Sequence, residues 1–152
     1  MKRLGHSVRT MKEKNSQTLE SATLQRKGAV RACVVCGDIL YFQFDGPIVD
    51  ADAVQCSQEL REELVGDTPF LCLTDLRSVA RSTPEARQTK AEGNIRGLAL
   101  LYSSPVGRMI GNAYLRLRRT ECPVKLFADP EDALAWLEKG RDSFTAQASE
   151  ST

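Results

Sequence analysis

The sequence predicts an α/β domain with a mixed, largely parallel sheet, an N-terminal β-hairpin and about four helices packed on the sheet. One observation is a pair of apolar segments that flank Gly37-Asp38, a dipeptide typical of a tight hairpin turn. The other is a series of short apolar runs that alternate with amphipathic stretches after residue 50. Such alternation favours parallel strands joined by right-handed helical crossovers.

The predicted hairpin is apolar on both faces. A two-residue turn places Val35 opposite Leu40. Cys33 then lies opposite Phe42, and we expect this face to point to the core. The other face carries Val30, Ala32, Val34, Ile39 and Tyr41. Because that face is too apolar for full exposure, we expect a helix, the N-terminal leader or a second copy of the chain to cover it.

Three further strands and four helices are predicted after the hairpin. The strands are predicted at residues 70–73, 95–102 and 124–127, and the helices at residues 50–65, 82–93, 105–119 and 129–140. Asp50 and Asp129 begin the first and last helices as expected N-cap residues. Gly140 is expected to end the last helix.

Length and composition predict one globular domain. The chain has 152 residues and a formal net charge of +1, which does not indicate a nucleic-acid partner. No apolar run reaches the roughly 18 residues of a membrane span, and no secretory signal is evident, so we expect a cytoplasmic protein. Five unevenly spaced cysteines do not form a disulfide framework. We expect a disordered leader over residues 1–20, a single domain over residues 21–140 and a flexible tail over residues 141–152.

The segment that follows the strand at residues 95–102 is a candidate ligand site. A helix starting at Pro105 would place Met109 on its apolar face and Arg108 on its basic face. The N–H groups at its N-terminus, together with Arg108, suit a phosphate or another anion. The candidate ligand-binding residues are Ser103, Ser104, Gly107, Arg108 and Asn112. The alternative is a capped helix whose glycines serve only close packing.

Ser82 and Thr83 are candidate phosphoacceptors. Either residue can start the predicted helix that has Pro84 in its first turn. A phosphate there would lie at a helix N-terminus among arginines, which is electrostatically favourable. The alternative is a capping box with Glu85 and no modification.

The sequence contains no recognisable catalytic set, metal site or cofactor motif. His6 is the only histidine and lies in the predicted leader, so a Ser-His or Cys-His nucleophile is excluded. Cys33 and Cys36 lack the further ligands that a zinc site needs, and we expect them to pack in the sheet. Asp75, at the end of a predicted strand, is either a site carboxylate or an acceptor for loop amides.

Four segments carry a resemblance to a known family. They read GDILYFQFDGPI, LCLTDLRSVARSTPEAR, ALLYSSPVGRMIGN and CPVKLFADPEDALAWL. Together they resemble the SpoIIAA-like family, whose domains have a STAS/SEC14-type fold, over residues 30–139. By position, Ser82-Thr83 is the counterpart of the phosphorylatable serine of STAS anti-sigma-factor antagonists. Arg81 before this pair and Pro84-Glu85 after it depart from that family's motif.

The resemblance implies a STAS/SEC14-type module that binds or regulates partners and is not an enzyme. We therefore expect a non-enzymatic regulatory or protein-interaction module that forms a homodimer and binds a regulatory protein. Neither a cofactor nor nucleic acid is an expected partner. The alternative is a binding protein for a small anionic or acyl ligand at the helix N-terminus near Arg108.

Overall fold

The computed structural model of the protein describes residues 24–88, 93–105, 108–109 and 122–150. The strands within them are β1 (Gln25–Lys27), β2 (Val30–Val35), β3 (Ile39–Phe44), β4 (Ile48–Val49), β5 (Phe70–Asp75), β6 (Arg81–Ser82), β7 (Ile95–Leu101) and β8 (Val124–Phe127). The helices are α1 (Ala51–Leu64), α2 (Pro84–Gln88) and α3 (Pro130–Glu150). None of these three helices is long and apolar enough to cross a membrane.

The main sheet has six strands in the order β1-β2-β3-β5-β7-β8. Strands β1, β2 and β3 pair antiparallel, whereas β3, β5, β7 and β8 pair parallel. Strands β4 and β6 form a separate parallel pair. The mixed, largely parallel sheet with an N-terminal hairpin is therefore confirmed.

The described residues contain three helices rather than about four. The predicted helix at residues 105–119 falls largely outside them, although Pro105, Arg108 and Met109 are helical where the structure describes it. Asp50 caps α1 as predicted, because its side chain accepts a hydrogen bond from the Ala53 N–H at 2.8 Å.

Helices cover both faces of the sheet. On one face, α1 contributes Ala53, Val54 and Leu60 to a core shared with alternate residues of β2, β3, β5 and β7. On the other face, α3 contributes Leu134 and Leu137 to a second core. Because both faces are buried, the central strands are apolar at successive positions, as parallel strands usually are. A helix therefore contributes to the core on each face of the hairpin, although Val34 is 36% exposed.

The hairpin turn has three residues, so the predicted two-residue turn is wrong. Val35 pairs with Ile39, and the turn is Cys36-Gly37-Asp38. Cys36 and Gly37 have φ values of 53° and 89°, in the left-handed region. The extra residue reverses the predicted faces of β2. Cys33 and Val35 consequently lie in the core beneath α3 and not beneath α1.

Helix α3 continues well past Gly140, where the sequence predicted its end. It runs to Glu150, so the residues expected to form a flexible tail from 141 onward are helical as far as the structure describes them. Two contacts explain the extension. Phe144 is buried in the core beneath α3, and Arg141 donates a hydrogen bond to the Asp38 carboxylate at 2.6 Å.

Candidate ligand-binding site

Three parallel strands end at the same edge of the sheet. Strands β5, β7 and β8 end at Asp75, Leu101 and Phe127, and the paired residues at these ends are in register. Open α/β sheets bind ligands outside the carboxyl ends of their parallel strands. The carboxyl edge is therefore the first place to look for a site.

A buried carboxylate lies at the end of β5. Asp75 is 3% exposed. It accepts hydrogen bonds from the Arg77 Nε at 2.9 Å, the Arg77 Nη2 at 2.7 Å and the Tyr41 hydroxyl at 2.8 Å. The Arg77 backbone N–H adds a fourth bond at 3.0 Å. The sequence left open whether Asp75 is a site carboxylate or a loop acceptor, and the geometry supports the second role.

The electrostatics of this cluster keep Asp75 ionised. Burial alone would raise the pKa of its carboxyl group, but the hydrogen bonds from Arg77 and Tyr41 outweigh burial and hold that pKa below its usual range. Burial and the neighbouring Asp75 charge raise the pKa of the Tyr41 hydroxyl, so Tyr41 stays a neutral donor. The hydrogen bond to Asp75 raises the pKa of the Arg77 guanidinium. This carboxylate is thus an ion-pair partner and not a proton carrier at neutral pH.

Hydrogen bonds tie the loops of the carboxyl edge together. The Ser103 Oγ donates to the Arg77 carbonyl at 2.9 Å. Backbone bonds join Leu76 N–H to the Leu101 carbonyl at 2.9 Å and Tyr102 N–H to the Phe127 carbonyl at 3.0 Å. The segment that follows β7 is therefore held against both neighbouring strand ends.

A shallow depression, the carboxyl-edge groove, lies beside these loops. Its volume is about 510 Å³, and it is lined by Tyr102, Ser103, Ser104, Pro105, Arg108, Met109 and Ala128. All of these residues except Tyr102 are exposed. The Arg108 N–H donates to the Ser104 carbonyl at 2.9 Å, as in the first turn of an α-helix, so the helical start predicted at Pro105 is present.

The groove brings together three of the residues predicted to bind a ligand. Ser103, Ser104 and Arg108 line it, whereas Gly107 and Asn112 lie outside the described residues. Sequence reasoning placed Met109 on the packed face of the helix, but Met109 is 69% exposed. It also missed Tyr102 and Ala128, and no sequence signal would have joined Ala128 to groove residues that lie 19 to 26 positions earlier.

A family model matches residues 33–141, which is more than two thirds of the 152-residue chain. Its description is a domain of unknown function, DUF7793. The chain belongs to the DUF7793 family. A search of the curated proteins found no match.

A solved structure extends the comparison to the fold. It is the crystal structure of an uncharacterized protein of the DUF3478 family from Shewanella loihica PV-4, described as having a SpoIIAA-like fold. The likeness covers 76% of this chain and 99% of that chain, with a TM-score of 0.53 and 14% sequence identity. The SpoIIAA-like fold predicted from the sequence is thereby supported for the DUF7793 domain. Family membership is DUF7793, and kinship with the SpoIIAA-like family itself stays a prediction.

The predicted phosphoacceptors lie on different elements of the DUF7793 domain. Ser82 belongs to β6, which pairs with β4. Thr83 is the N-cap of α2, because its Oγ1 accepts a hydrogen bond from the Ala86 N–H at 3.2 Å. The sequence allowed either residue to start the helix, and the structure selects Thr83. The described part of α2 covers Pro84–Gln88. Phosphorylation of either residue stays a prediction.

The two cysteines of the CxxC sequence do not form a redox pair in this geometry. Cys33 to Val35 are extended in β2, so the Cα atoms of Cys33 and Cys36 lie about 10 Å apart at roughly 3.3 Å per residue. That exceeds the ~7 Å limit for a disulfide without backbone movement. Cys33 packs in the sheet as expected, whereas Cys36 is exposed in the hairpin turn. Partial desolvation and a hydrogen bond with Glu138 raise the pKa of the Cys36 thiol to about 11, which disfavours the thiolate. The described part of the chain also contains no cluster of three or more potential metal ligands.

Proposed function

We propose that the DUF7793 domain is a non-enzymatic regulatory or protein-interaction module of STAS/SEC14 type that works as a cytoplasmic homodimer. The observation that carries this proposal is the exposure of the carboxyl-edge groove. Among the residues that the structure describes, seven line the groove, and six of them are exposed. Small-molecule sites usually bury most of the ligand surface in a concave pocket. A shallow, exposed depression is better suited to another macromolecule.

The state of Asp75 supports a non-enzymatic role. General acid–base catalysis needs a titratable group with a pKa near the operating pH and a proton within reach of substrate. Asp75 is the buried carboxylate at this edge, yet its oxygens are occupied by Arg77 and Tyr41, and its pKa is lowered. Its role in the proposal is to fix the loop that follows β5.

The direct test is reconstitution of a complex. The tagged chain is used to purify partners from its source cells. Each candidate is then produced separately, mixed with the purified chain and measured by light scattering. The proposal predicts at least one complex whose mass equals the sum of its components. If every mixture contains only the separate components, the interaction role is contradicted.

A second candidate function is the binding of a small anionic or acyl ligand near Arg108. The observation that favours it is the convergence of Ser103, Ser104 and Arg108 on one groove. Thermal melting of wild type and Arg108→Glu across a panel of phosphates and acyl ligands tests it. A ligand that stabilises only the wild type supports this function. Identical melting temperatures for both proteins with every ligand would remove it.

A further inference from the structure

The carboxyl-edge groove presents an exposed apolar side chain next to an exposed cation. Met109 is 69% exposed, the highest value among the large hydrophobic residues that the structure describes as exposed. Pro105 and Ala128 are exposed beside it, and Tyr102 is half-buried. Exposed methionines are characteristic of binding surfaces, because the flexible thioether side chain adapts to different apolar partners. This part of the groove suits an apolar contact.

The carboxyl-edge groove also carries a positive charge. Arg108 is exposed, and no carboxylate is among the described lining residues. Arg77, the neighbouring cation behind Ser103, is already paired with Asp75. Asp129, which follows Ala128, has one carboxylate oxygen engaged by the Glu131 N–H at 2.9 Å. An arginine offers a fork of donors that matches a carboxylate.

We infer that the carboxyl-edge groove binds a segment of a partner protein in which an acidic residue lies next to an apolar one. The acidic side chain pairs with Arg108, and the apolar side chain packs on Met109. Ser104 and the neighbouring Pro105 form the adjoining wall. The inference rests on the proposed function and adds to it the surface and the chemistry of the partner.

The rigidity of one wall supports a preformed site. Ser103 is tied to the Arg77 carbonyl, and Arg77 is in turn fixed by two side-chain bonds to the buried Asp75. A surface held in its bound geometry avoids part of the ordering cost of association. The groove thus joins a fixed wall at Ser103 to an adaptable side chain at Met109.

A selection from a random peptide library displayed on phage tests the inference. The immobilised 152-residue chain is used as wild type, Arg108→Glu, Met109→Ser and the control Arg81→Glu. Arg81 is an exposed arginine on β6 that does not line the groove. Thermal melts of all four proteins check that each variant is folded. Peptides enriched on the wild type are synthesised, and their affinities are measured by fluorescence anisotropy at low and high salt.

The expected peptides carry Asp or Glu beside Leu, Ile, Met or Phe. Arg108→Glu and Met109→Ser should each weaken their binding by about tenfold or more, which corresponds to the loss of one good contact, whereas Arg81→Glu should leave it unchanged. Raising the salt concentration should weaken binding, since the pair with Arg108 is exposed.

Three outcomes overturn the inference. Enriched peptides that bind wild type and Arg108→Glu equally would leave the interaction role intact but place its surface elsewhere. If Arg108→Glu instead abolishes self-association, a second copy of the chain occupies the groove. A selection that enriches no binding sequence at all would contradict the inference that the groove binds a partner segment. The reconstitution experiment would then decide the interaction role separately.

Discussion

Asp75 shows how a single residue determines what the carboxyl edge can do. A carboxylate that is 3% exposed is stable only when its charge is compensated, and Tyr41 and Arg77 supply the compensation. Arg77 remains partly solvated, with 38% of its side chain exposed. The pair is therefore weaker than a fully buried ion pair, although it still fixes the loop.

Replacing Asp75 with Asn should lower the free energy of unfolding by about 2–3 kcal/mol, since charged hydrogen bonds contribute roughly 1.5–3 kcal/mol each and Asn retains part of the network. Urea denaturation followed by the fluorescence of Trp136, the only tryptophan, measures this. Asp67→Asn, at an exposed position, is the control and should change the stability by less than about 0.5 kcal/mol. Equal stabilities of the two variants would contradict the structural role of Asp75.

The contribution of Asp75 should depend on pH. Its folded-state pKa lies below the usual value of about 3.9 for an unfolded Asp. The stabilisation is therefore fully present above pH ~4 and is lost as the pH falls through the lower, folded-state pKa. The stability difference between wild type and Asp75→Asn should shrink between pH 7 and pH 3. A difference that stays constant or grows in acid would show that Asp75 is not held ionised by Arg77.

At the scale of elements, the packing of α3 on β7 depends on the lack of a side chain at Gly97. A Cβ atom at Gly97 would lie 2.7 Å from the Phe144 Cδ2 and 3.3 Å from the Leu71 Cδ2. Phe144 is 8% exposed and also packs on Trp136, with ring centroids 5.1 Å apart. Gly97 thus provides the space in which the last part of α3 is anchored.

Gly97→Ala should destabilise the protein by about 2 kcal/mol, within the range of overpacked cores. Phe144→Ala should cost about 3 kcal/mol through the lost aromatic side chain. In the double variant, the added methyl group at position 97 no longer meets the ring, so its cost should nearly vanish. Denaturation of the wild type, the single variants and the double variant measures this coupling. Additive costs would show that the ring does not fill the space above Gly97.

The packing of Phe144 over Gly97 leads to a separate prediction about α3. Because Phe144 anchors the helix beyond Gly140, Phe144→Ala should increase hydrogen exchange in residues 141–150 while residues 130–137 stay protected. Exchange followed by mass spectrometry distinguishes these two segments. Unchanged protection after Gly140 would mean that another contact holds the end of the helix.

Element order was predictable from the sequence, whereas strand faces and element ends were not. Alternation of apolar runs and amphipathic stretches located the parallel strands and α1. The β2 faces were reversed because Cys36, a non-glycine residue, adopts a left-handed conformation that adds one residue to the turn. Strand β1 was missed because it is short and polar. It is held by antiparallel backbone pairing with β2, and Lys27 also forms an exposed ion pair with Glu63 at 2.8 Å; a hydrophobic pattern records neither contact.

The candidate site was predictable from the sequence only where its residues are neighbours in the chain. Ser103, Ser104 and Arg108 follow one strand directly and carry recognisable chemistry, so local sequence was sufficient to find them. Ala128 joins them only through the register of β7 with β8, which is a property of the sheet. The exposure of Met109 likewise depends on its surroundings in the folded chain, and its apolar character alone indicated the opposite.

At the scale of the whole molecule, the proposed homodimer predicts a specific mass. One chain has a mass of 16.8 kDa, so light scattering at high protein concentration should give twice that value. The mass should fall toward that of one chain on dilution if the dimer is reversible. A strict monomer at every concentration would remove the homodimer from the proposal and leave the groove unaffected.

Hydrogen exchange of the chain with and without a peptide from the selection tests most directly that the carboxyl edge is the interaction surface. Binding should slow exchange in segments that contain residues 102–105 and 108–109, because the partner covers the backbone there. The edge strand β1, on the opposite side of the sheet order, should exchange at the same rate in both samples. Slowed exchange at β1 or along α3, with no change at residues 102–109, would contradict the account.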